Sequence, residues 1–305
     1  MGEYKKSKLL KYSREYLGLT QEQLAEGICD PLTLNRYENG KINPTDEKYG
    51  KLMAKMGFSQ QRYILDSSEK KNSFFIKNQI LTYIQQMRFD EVSELLYELE
   101  KTIHNKNNIS YIQFVRRIEL IIEWHNGKIS ADQLTYELIK LLKISFDDCL
   151  QEQIPTNKIM TLEELLIIND IAISYGVQYQ YEEACKWFKR IEEYNLSEII
   201  LNNHKPRYKI LLNYSNYLGL SNRYDECLHI CYEGIRCLKK QHRANMLYNF
   251  YFNIGWVMHM KYKSGEDCLQ KAQENILLAI DLCDYYSESR ESLQQMKAYY
   301  TENFG

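Results

Sequence analysis

Only four prolines and 13 glycines interrupt 305 residues, and this scarcity of breakers most narrows what the chain can fold into. Chains built from many short strands and tight turns need both residues as punctuation. A chain this poor in them reads as a succession of helices, so the fold class predicted is all-α. The 26 tyrosines fit helices that are partly buried, because each ring packs while its hydroxyl stays wet.

The first 65 residues parse into five short helices. Lys8–Tyr16 is followed by Gly18, a residue favoured just past a helix end. Thr20 with Gln23 forms a capping box for a second helix, Gln21–Glu26, whose Leu24, Ala25 and Ile28 face inward. Asp30 and Pro31 open a third helix, Pro31–Glu38, with Leu34 and Tyr37 on its buried side. Asn39 and Gly40 close it. Thr45 caps a fourth, Asp46–Met56, and Ser59–Leu65 is a fifth.

Two short helices joined by a tight glycine-containing turn allow the second to enter a DNA major groove. Here that second helix is Pro31–Glu38, with Leu32, Thr33, Asn35 and Arg36 facing solvent. Thr33 and Asn35 have the groups to bond base edges, and Arg36 can reach guanine or phosphate. Gln21 stands at a helix N-terminus, where a phosphate is favoured. Residues 1–65 hold 11 Lys and Arg against 8 Asp and Glu, a net +3, which leaves −5 on the remainder of a chain totalling −2. A mildly basic head on an acidic body fits a small DNA-contacting part carried on a larger one.

The run Gly18-Leu19-Thr20-Gln21-Glu22-Gln23-Leu24-Ala25-Glu26, with Leu34-Asn35-Arg36-Tyr37-Glu38-Asn39-Gly40-Lys41 and Pro44, resembles the Cro/phage-repressor helix-turn-helix domains. The resemblance implies that Gln21, Thr33, Asn35, Arg36 and Lys41 lie at the DNA. Leu32 stands where many relatives carry a small polar residue. The other use of such a domain is as a protein-contact module.

Beyond Asn72 three segments align: Phe89-Asp90-Glu91-Val92, Tyr181-Glu182-Glu183-Ala184 and Tyr224-Asp225-Glu226-Cys227. Each opens an apolar helical stripe: Leu95, Leu96 and Leu99; Trp187, Phe188 and Ile191; Leu228, Cys231 and Ile235. Tyr181 and Tyr224 are 43 residues apart, and Phe89 and Tyr181 are 92 apart, about two periods. A further copy is therefore expected near 131–135, where Lys128–Leu142 carries Leu134, Leu138 and Leu141 at helical spacing. Ala244–Tyr262 and Asp267–Leu282 extend the series. A helix pair recurring at this period makes a helical solenoid, whose long concave face suits an extended peptide or a partner helix. It resembles a lengthened tetratricopeptide repeat, the small residues Ala184 and Cys227 permitting close helix packing. The organisation predicted is residues 1–66 as a helix-turn-helix DNA-binding domain and 67–305 as a tetratricopeptide-like regulatory and dimerisation domain.

Asn169 and Asn213 occupy matching places, 12 and 11 residues before Tyr181 and Tyr224, and Asn253 stands 40 beyond Asn213. An asparagine amide both donates and accepts, so a ladder of them can hold an extended peptide backbone. Capping of turns is the other use of such residues. A Cro-type domain followed by such a solenoid in about 300 residues is similar to the Rap/Rgg/NprR/PlcR/PrgX family of Gram-positive peptide-sensing regulators. Segments Ile168-Asn169-Asp170-Ile171-Ala172 and Leu212-Asn213-Tyr214-Ser215-Asn216 resemble family helices whose asparagines hold the signal peptide. The resemblance implies a homodimer joined through the solenoid, a palindromic double-stranded operator, and a change of state on binding a short secreted peptide. Asn169, Asn213 and Asn253 would bind that peptide, and Arg116, on a helix Ser110–His125, would take its carboxylate.

The sequence carries no glycine-rich phosphate loop, no His-Glu-x-x-His and no Gly-x-Ser-x-Gly, so neither an enzyme nor a cofactor is expected. Cys227, His229, Cys231 and Cys237 form the one Cys/His cluster. Cys227 and Cys231 fall on an apolar stripe and read as core thiols, so no metal is expected. The neighbouring carboxylates Glu163/Glu164 and Glu182/Glu183 sit side by side on helices and do not face each other. There is no apolar run of about 18 residues to cross a membrane, and Met1–Lys11 lacks the apolar core of a secretory signal. With eight cysteines in reduced form, the expected compartment is the cytoplasm. Two other functions suit the same parts. One is a ligand-free regulator whose solenoid binds a protein; the other is a peptide-responsive scaffold that inhibits a partner enzyme.

Overall fold

The computed structural model describes residues 6–16, 18–56, 71–85, 88–102, 108–151, 154, 160–194, 207–240, 244–286 and 289–305, and among them there is no strand. The chain divides into two compact units, Met1–Ile167 and Ile168–Gly305. The first opens with α1 (Lys6–Tyr16), α2 (Gln21–Ala25), α3 (Pro31–Glu38) and α4 (Asp46–Lys55). There follow α5 (Lys71–Gln85), α6 (Phe89–Thr102), α7 (Ile109–His125), α8 (Ala131–Lys143) and α9 (Leu162–Val177), within which the division falls. The second unit continues with α10 (Tyr181–Glu193), α11 (Arg207–Leu220), α12 (Tyr224–Lys240), α13 (Leu247–Lys263), α14 (Leu269–Tyr286) and α15 (Arg290–Phe304). The expected fifth helix, Ser59–Leu65, and the expected domain boundary near residue 66 lie outside the described residues.

The caps read from sequence form the ends of the first helices. Thr20 Oγ1 accepts the Gln23 N–H at 3.1 Å, and Gln23 Oε1 accepts the Thr20 N–H at 2.8 Å. Asp30 accepts the Leu32 N–H at 2.8 Å ahead of Pro31. At the far end of α3, Gly40 takes φ 66°, which a side chain would oppose. Its N–H bonds the Tyr37 carbonyl at 3.1 Å while the Lys41 N–H bonds Arg36 at 2.9 Å, a Schellman closure. Leu10, Leu24, Ala25, Leu34, Tyr37, Tyr49, Leu52 and Met53 are buried. Ile28 is only half-buried, because α2 stops at Ala25 and Ile28 lies in the turn beyond it.

In the remainder of the first unit, Ile76, Ile80, Val92, Leu99, Tyr111, Phe114 and Ile118 of α5, α6 and α7 share one core. The expected extra copy is α8, with Leu134, Leu138 and Leu141 buried. It starts at Ala131 and not at Lys128, because Gly127 and Lys128 close α7 and Ser130 then caps the next helix.

One backbone turn joins the paired helices of the second unit. Tyr179, Asn222 and Gly265 adopt φ 62°, 59° and 103°. Each donates to the carbonyl three residues back, and the next residue donates to the carbonyl five back. Tyr179 and Asn222 thus repeat the 43-residue period in backbone conformation, although one of the two residues is poorly suited to it. The helices also repeat a close approach. Gly176 of α9 lies against the Tyr217 ring of α11, and Gly219 of α11 against Trp256 of α13. A Cβ on Gly255 would stand 2.9 Å from the Ala272 carbonyl of α14, so α13 and α14 are in near backbone contact there.

α15 was not legible as a separate element. It completes a core with Tyr248, Ile276, Ala279, Ile280 and Cys283, into which it sends Met296. Its Tyr299 hydroxyl lies 2.6 Å from Nδ1 of buried His259. Burial first, and then Lys263, lowers the His259 pKa from its ordinary value. Below about pH 6.5 the unfolded chain therefore takes up a proton that the folded chain does not, and stability falls as the pH falls through that window. A lower urea midpoint at pH 5.5 than at pH 7.5 is expected, with a smaller difference in His259→Gln. The same pH dependence in both proteins would contradict a buried neutral imidazole.

Candidate functional site

The solvent face of α3 is built by what holds its back. Leu34 and Tyr37 pack into the core, which turns Leu32, Thr33, Asn35 and Arg36 outward to different degrees. Leu32 is 72% exposed at the front of the helix, an apolar surface of the kind that contacts a thymine methyl. Thr33 is half-buried, and Arg36 and Lys41 are exposed. The Schellman closure brings the Lys41 backbone onto the Arg36 carbonyl. Among the described residues the Arg36 guanidinium and the Lys41 ammonium have no protein partner, so both cations are available to an anion.

Gln21 and Asn35 also bond within the domain. Gln21 Nε2 donates to Glu38 Oε2 at 2.7 Å, and Gln21 Oε1 accepts from Asn35 Nδ2 at 3.3 Å. Asn39 Nδ2 in turn donates to Asn35 Oδ1 at 2.9 Å. The same Glu38 carboxylate takes a two-pronged bond from Arg14 of α1, at 2.6 Å from Nε and 3.0 Å from Nη2. Arg14 also caps the α1–α2 turn through the Leu19 carbonyl at 2.9 Å. Its bond to Glu38 raises the Arg14 pKa further above its ordinary value. A chain of charge-assisted and amide hydrogen bonds, buried at its Arg14–Glu38 end, thus ties α1, α2 and α3 together. The Gln21 side chain, half-buried, is thus engaged within the domain at the start of α2.

Arg14 and Glu38 carry this arrangement, yet neither was among the residues singled out. A signal for them exists. Arg14 follows Leu10 by four, and Glu38 follows Leu34 by four, so each charge sits on the inward stripe of its helix with opposite sign.

In the second unit, Asn169 of α9 and Asn213 of α11 come together: Asn213 Nδ2 lies 3.5 Å from Asn169 Oδ1. Asn169 is buried, and its Nδ2 donates to Asp170 at 2.8 Å. Asn253 does not continue the pair. Its Nδ2 donates to Ser215 Oγ at 2.9 Å and to Asn216 Oδ1 at 2.6 Å, nearly one helical turn further along α11 than Asn213. The step between α11 and α13 is thus not the 40 residues assumed for Asn213 and Asn253. Asn216 was overlooked, although an Asn-x-x-Asn spacing puts it on the same face as Asn213.

Arg116, in the first unit, is held by its own helix. Nη1 lies 2.9 Å from Glu123 and 3.2 Å from Glu119, and the bond to Glu123 is the main cause of its raised pKa. A ligand carboxylate would have to displace two that are already there.

Cys227, Cys231 and Cys237 are buried on one side of α12 while His229 is exposed on another, so the four do not converge. A hydrogen bond with Cys231, and then burial, push the Cys227 thiol far above its usual pKa. Among the described residues no His, Cys, Asp and Glu group is arranged to hold a metal ion, and no helix is long and apolar enough to cross a membrane. The adjacent carboxylates are structural: Glu164 accepts from Ser145 at 2.5 Å and from the Thr161 N–H at 2.7 Å, and Glu183 pairs with Lys186 at 2.6 Å.

Residues 10–59 match the helix-turn-helix family. No curated protein matches the sequence. Among solved structures the chain is similar to Bacillus thuringiensis PlcR in complex with the peptide PapR7 and DNA, at 20% identity over 99% of this chain and 100% of that one, with a TM-score of 0.56. It is similar to the apo form of the same protein at 18% identity over 95% and 98%, with a TM-score of 0.60. A third is the competence regulator ComR from Streptococcus vestibularis in complex with its cognate signaling peptide XIP, at 15% identity over 97% of both chains, with a TM-score of 0.52. At these identities the likeness is one of fold: an N-terminal helix-turn-helix domain followed by a helical-repeat array.

Proposed function

We propose that the chain is a DNA-binding transcriptional regulator whose helical repeats sense a short signalling peptide and thereby control operator binding. The observation that carries the reading is the outer face of α3. It presents exposed Arg36 and Lys41 without protein partners, on a helix clamped from behind by Glu38. A clamped helix with free cations is what groove binding needs, since ordering it on contact would cost affinity. Thr33 and the second Nδ2 hydrogen of Asn35, the first being bonded to Gln21, supply bonds to bases, and Gln21 supplies its helix-terminal N–H to a phosphate. The paired amides of Asn169 and Asn213, with Asn253 beyond them, supply the donors and acceptors that an extended peptide backbone requires.

PlcR, captured with both a peptide and DNA, supports combining the two roles in one chain of this fold. We assign the DNA-binding domain to about 1–66 and the sensing and dimerisation domain to 67–305. The protein would act in the cytoplasm as a homodimer on a palindromic operator, without enzymatic activity of its own.

Gel shifts with the full-length protein on DNA from around its own gene, against unrelated competitor DNA and with or without concentrated culture supernatant, test the reading. A specific shift that responds to the supernatant is expected. Arg36→Ala should weaken the complex roughly 10- to 100-fold, relaxing specificity if Arg36 reads a guanine, or lowering the salt slope by about one if it holds a phosphate. Unchanged affinity in Arg36→Ala would remove α3 from the DNA. A specific shift blind to the supernatant would leave a regulator whose repeats bind something else.

A further inference from the structure

We infer that the cleft between α11, α13 and α15 is a subsite that accepts one uncharged, apolar side chain of the sensed peptide, an inference that rests on the peptide-sensing reading. The cleft measures about 180 Å³. That is below the roughly 300 Å³ at which pockets for whole small molecules begin, and it fits a single residue of a longer ligand. Leu212, Phe252 and Met296 give it apolar walls, one from each helix. Asn216, Asn253 and Gln295 give it polar ones. Among the described residues no Asp, Glu, Lys, Arg or His lines it; the Glu291 carboxylate that accepts from Gln295 Nε2 at 3.3 Å is exposed outside the lining. A charged residue entering it would lose hydration without a counter-charge in the lining, the exposed Glu291 being screened by water, whereas an apolar one gains by leaving water.

The polar wall is ordered. Asn253 Nδ2 is held by both Ser215 Oγ and Asn216 Oδ1. That leaves Asn253 Oδ1 as acceptor and Asn216 Nδ2 as donor, the complement of one peptide unit. The apolar wall is ordered too. Met296 is buried, and the Phe252 ring packs edge-on to Tyr299, whose hydroxyl meets His259. Asn216 stands three residues beyond Asn213 on α11, so the cleft continues the face that begins with the Asn169–Asn213 pair. A peptide held by its backbone on those amides would reach the cleft within about one helical turn, near 5 Å. The amides hold any sequence, and the cleft discriminates.

Randomised synthetic heptapeptides are the probe. They are incubated with the full-length protein, and the retained fraction is separated by gel filtration and sequenced by mass spectrometry. The wild type should enrich Leu, Ile, Met or Phe at one peptide position and deplete Asp, Glu, Lys and Arg there by roughly tenfold, about 1.4 kcal/mol of discrimination. Asn249→Asp, a near-isosteric change at the cleft wall, should raise Lys and Arg at that same position roughly three- to tenfold and leave the other positions unchanged. Gln295→Glu, on the exposed rim, is the second variant and should act in the same direction. Retained peptides with no such position, or variants that leave Lys and Arg unchanged, would overturn the subsite while peptide binding stands. No retained peptide at all would overturn the peptide reading, and the subsite with it.

Discussion

Glu38→Ala is expected to destabilise the N-terminal helices by about 3–5 kcal/mol, the usual result of removing one member of a buried ion pair. Glu38 is buried, and its carboxylate receives Arg14 twice and Gln21 once. Its loss leaves a guanidinium inside without a counter-charge and frees the Gln21 and Asn35 amides that position α3. Since small domains are stable by only about 5–15 kcal/mol, DNA binding should fall with the fold. Hydrogen exchange of the amides in α1, α2 and α3 measures the effect directly, and protection equal to wild type would show that the clamp contributes little. Replacing both partners together, Arg14→Met with Glu38→Leu, should restore most of the stability, because no charge is then left unpaired. The double variant also separates fold from function. It rebuilds a packed core without the Glu38–Gln21–Asn35 chain, so residual loss of DNA affinity reports on the placement of α3 alone.

The double variant Asn169→Ala, Asn213→Ala should weaken the response to the signalling peptide by roughly 30- to 150-fold while basal DNA binding holds. Each lost amide leaves a ligand group unpaired at about 1–1.5 kcal/mol, and the two should sum only approximately because they touch. Titration of peptide against the DNA complex, with the melting temperature of the variant as a control on folding, gives the answer. A response unchanged in a folded variant would move the ligand to another face of the repeats.

Much of the fold was legible because it rests on short-range signals. Thr20 with Gln23 and Asp30 with Pro31 are caps whose partners lie within three residues, and both form as read; the equally local Ser130–Gln133 box was not read, and the helix it opens starts three residues later than expected. The recurrence of Phe89, Tyr181 and Tyr224 located the second helices of three repeats, and Leu134, Leu138 and Leu141 located a fourth. α15 escaped notice because its stripe of Leu293, Met296 and Tyr300 is thin and follows no break of glycine or proline. Its burial comes from α13 and α14.

The candidate site divides along the same line. The outward positions of α3 follow from helical period and the two inward residues Leu34 and Tyr37; Arg36 stands where that period puts it, and Lys41 where the Gly40 closure turns the chain back onto Arg36. Gln21 and Asn35 are polar as well, but a residue 17 positions from Gln21, Glu38, takes the Gln21 amide, and Gln21 takes that of Asn35. Asn169 and Asn213 were paired by their repeat position and do meet, whereas Asn253 meets Asn216 because the step between α11 and α13 breaks the repeat spacing. The sequence alone thus determined most of the helices, the caps in the chain's head and the order of the parts, all matters of neighbours within a few residues. Which polar groups are free to meet DNA or a peptide, and which are already bonded, was decided only in the tertiary structure, because the competing partners are brought together from distant points of the chain.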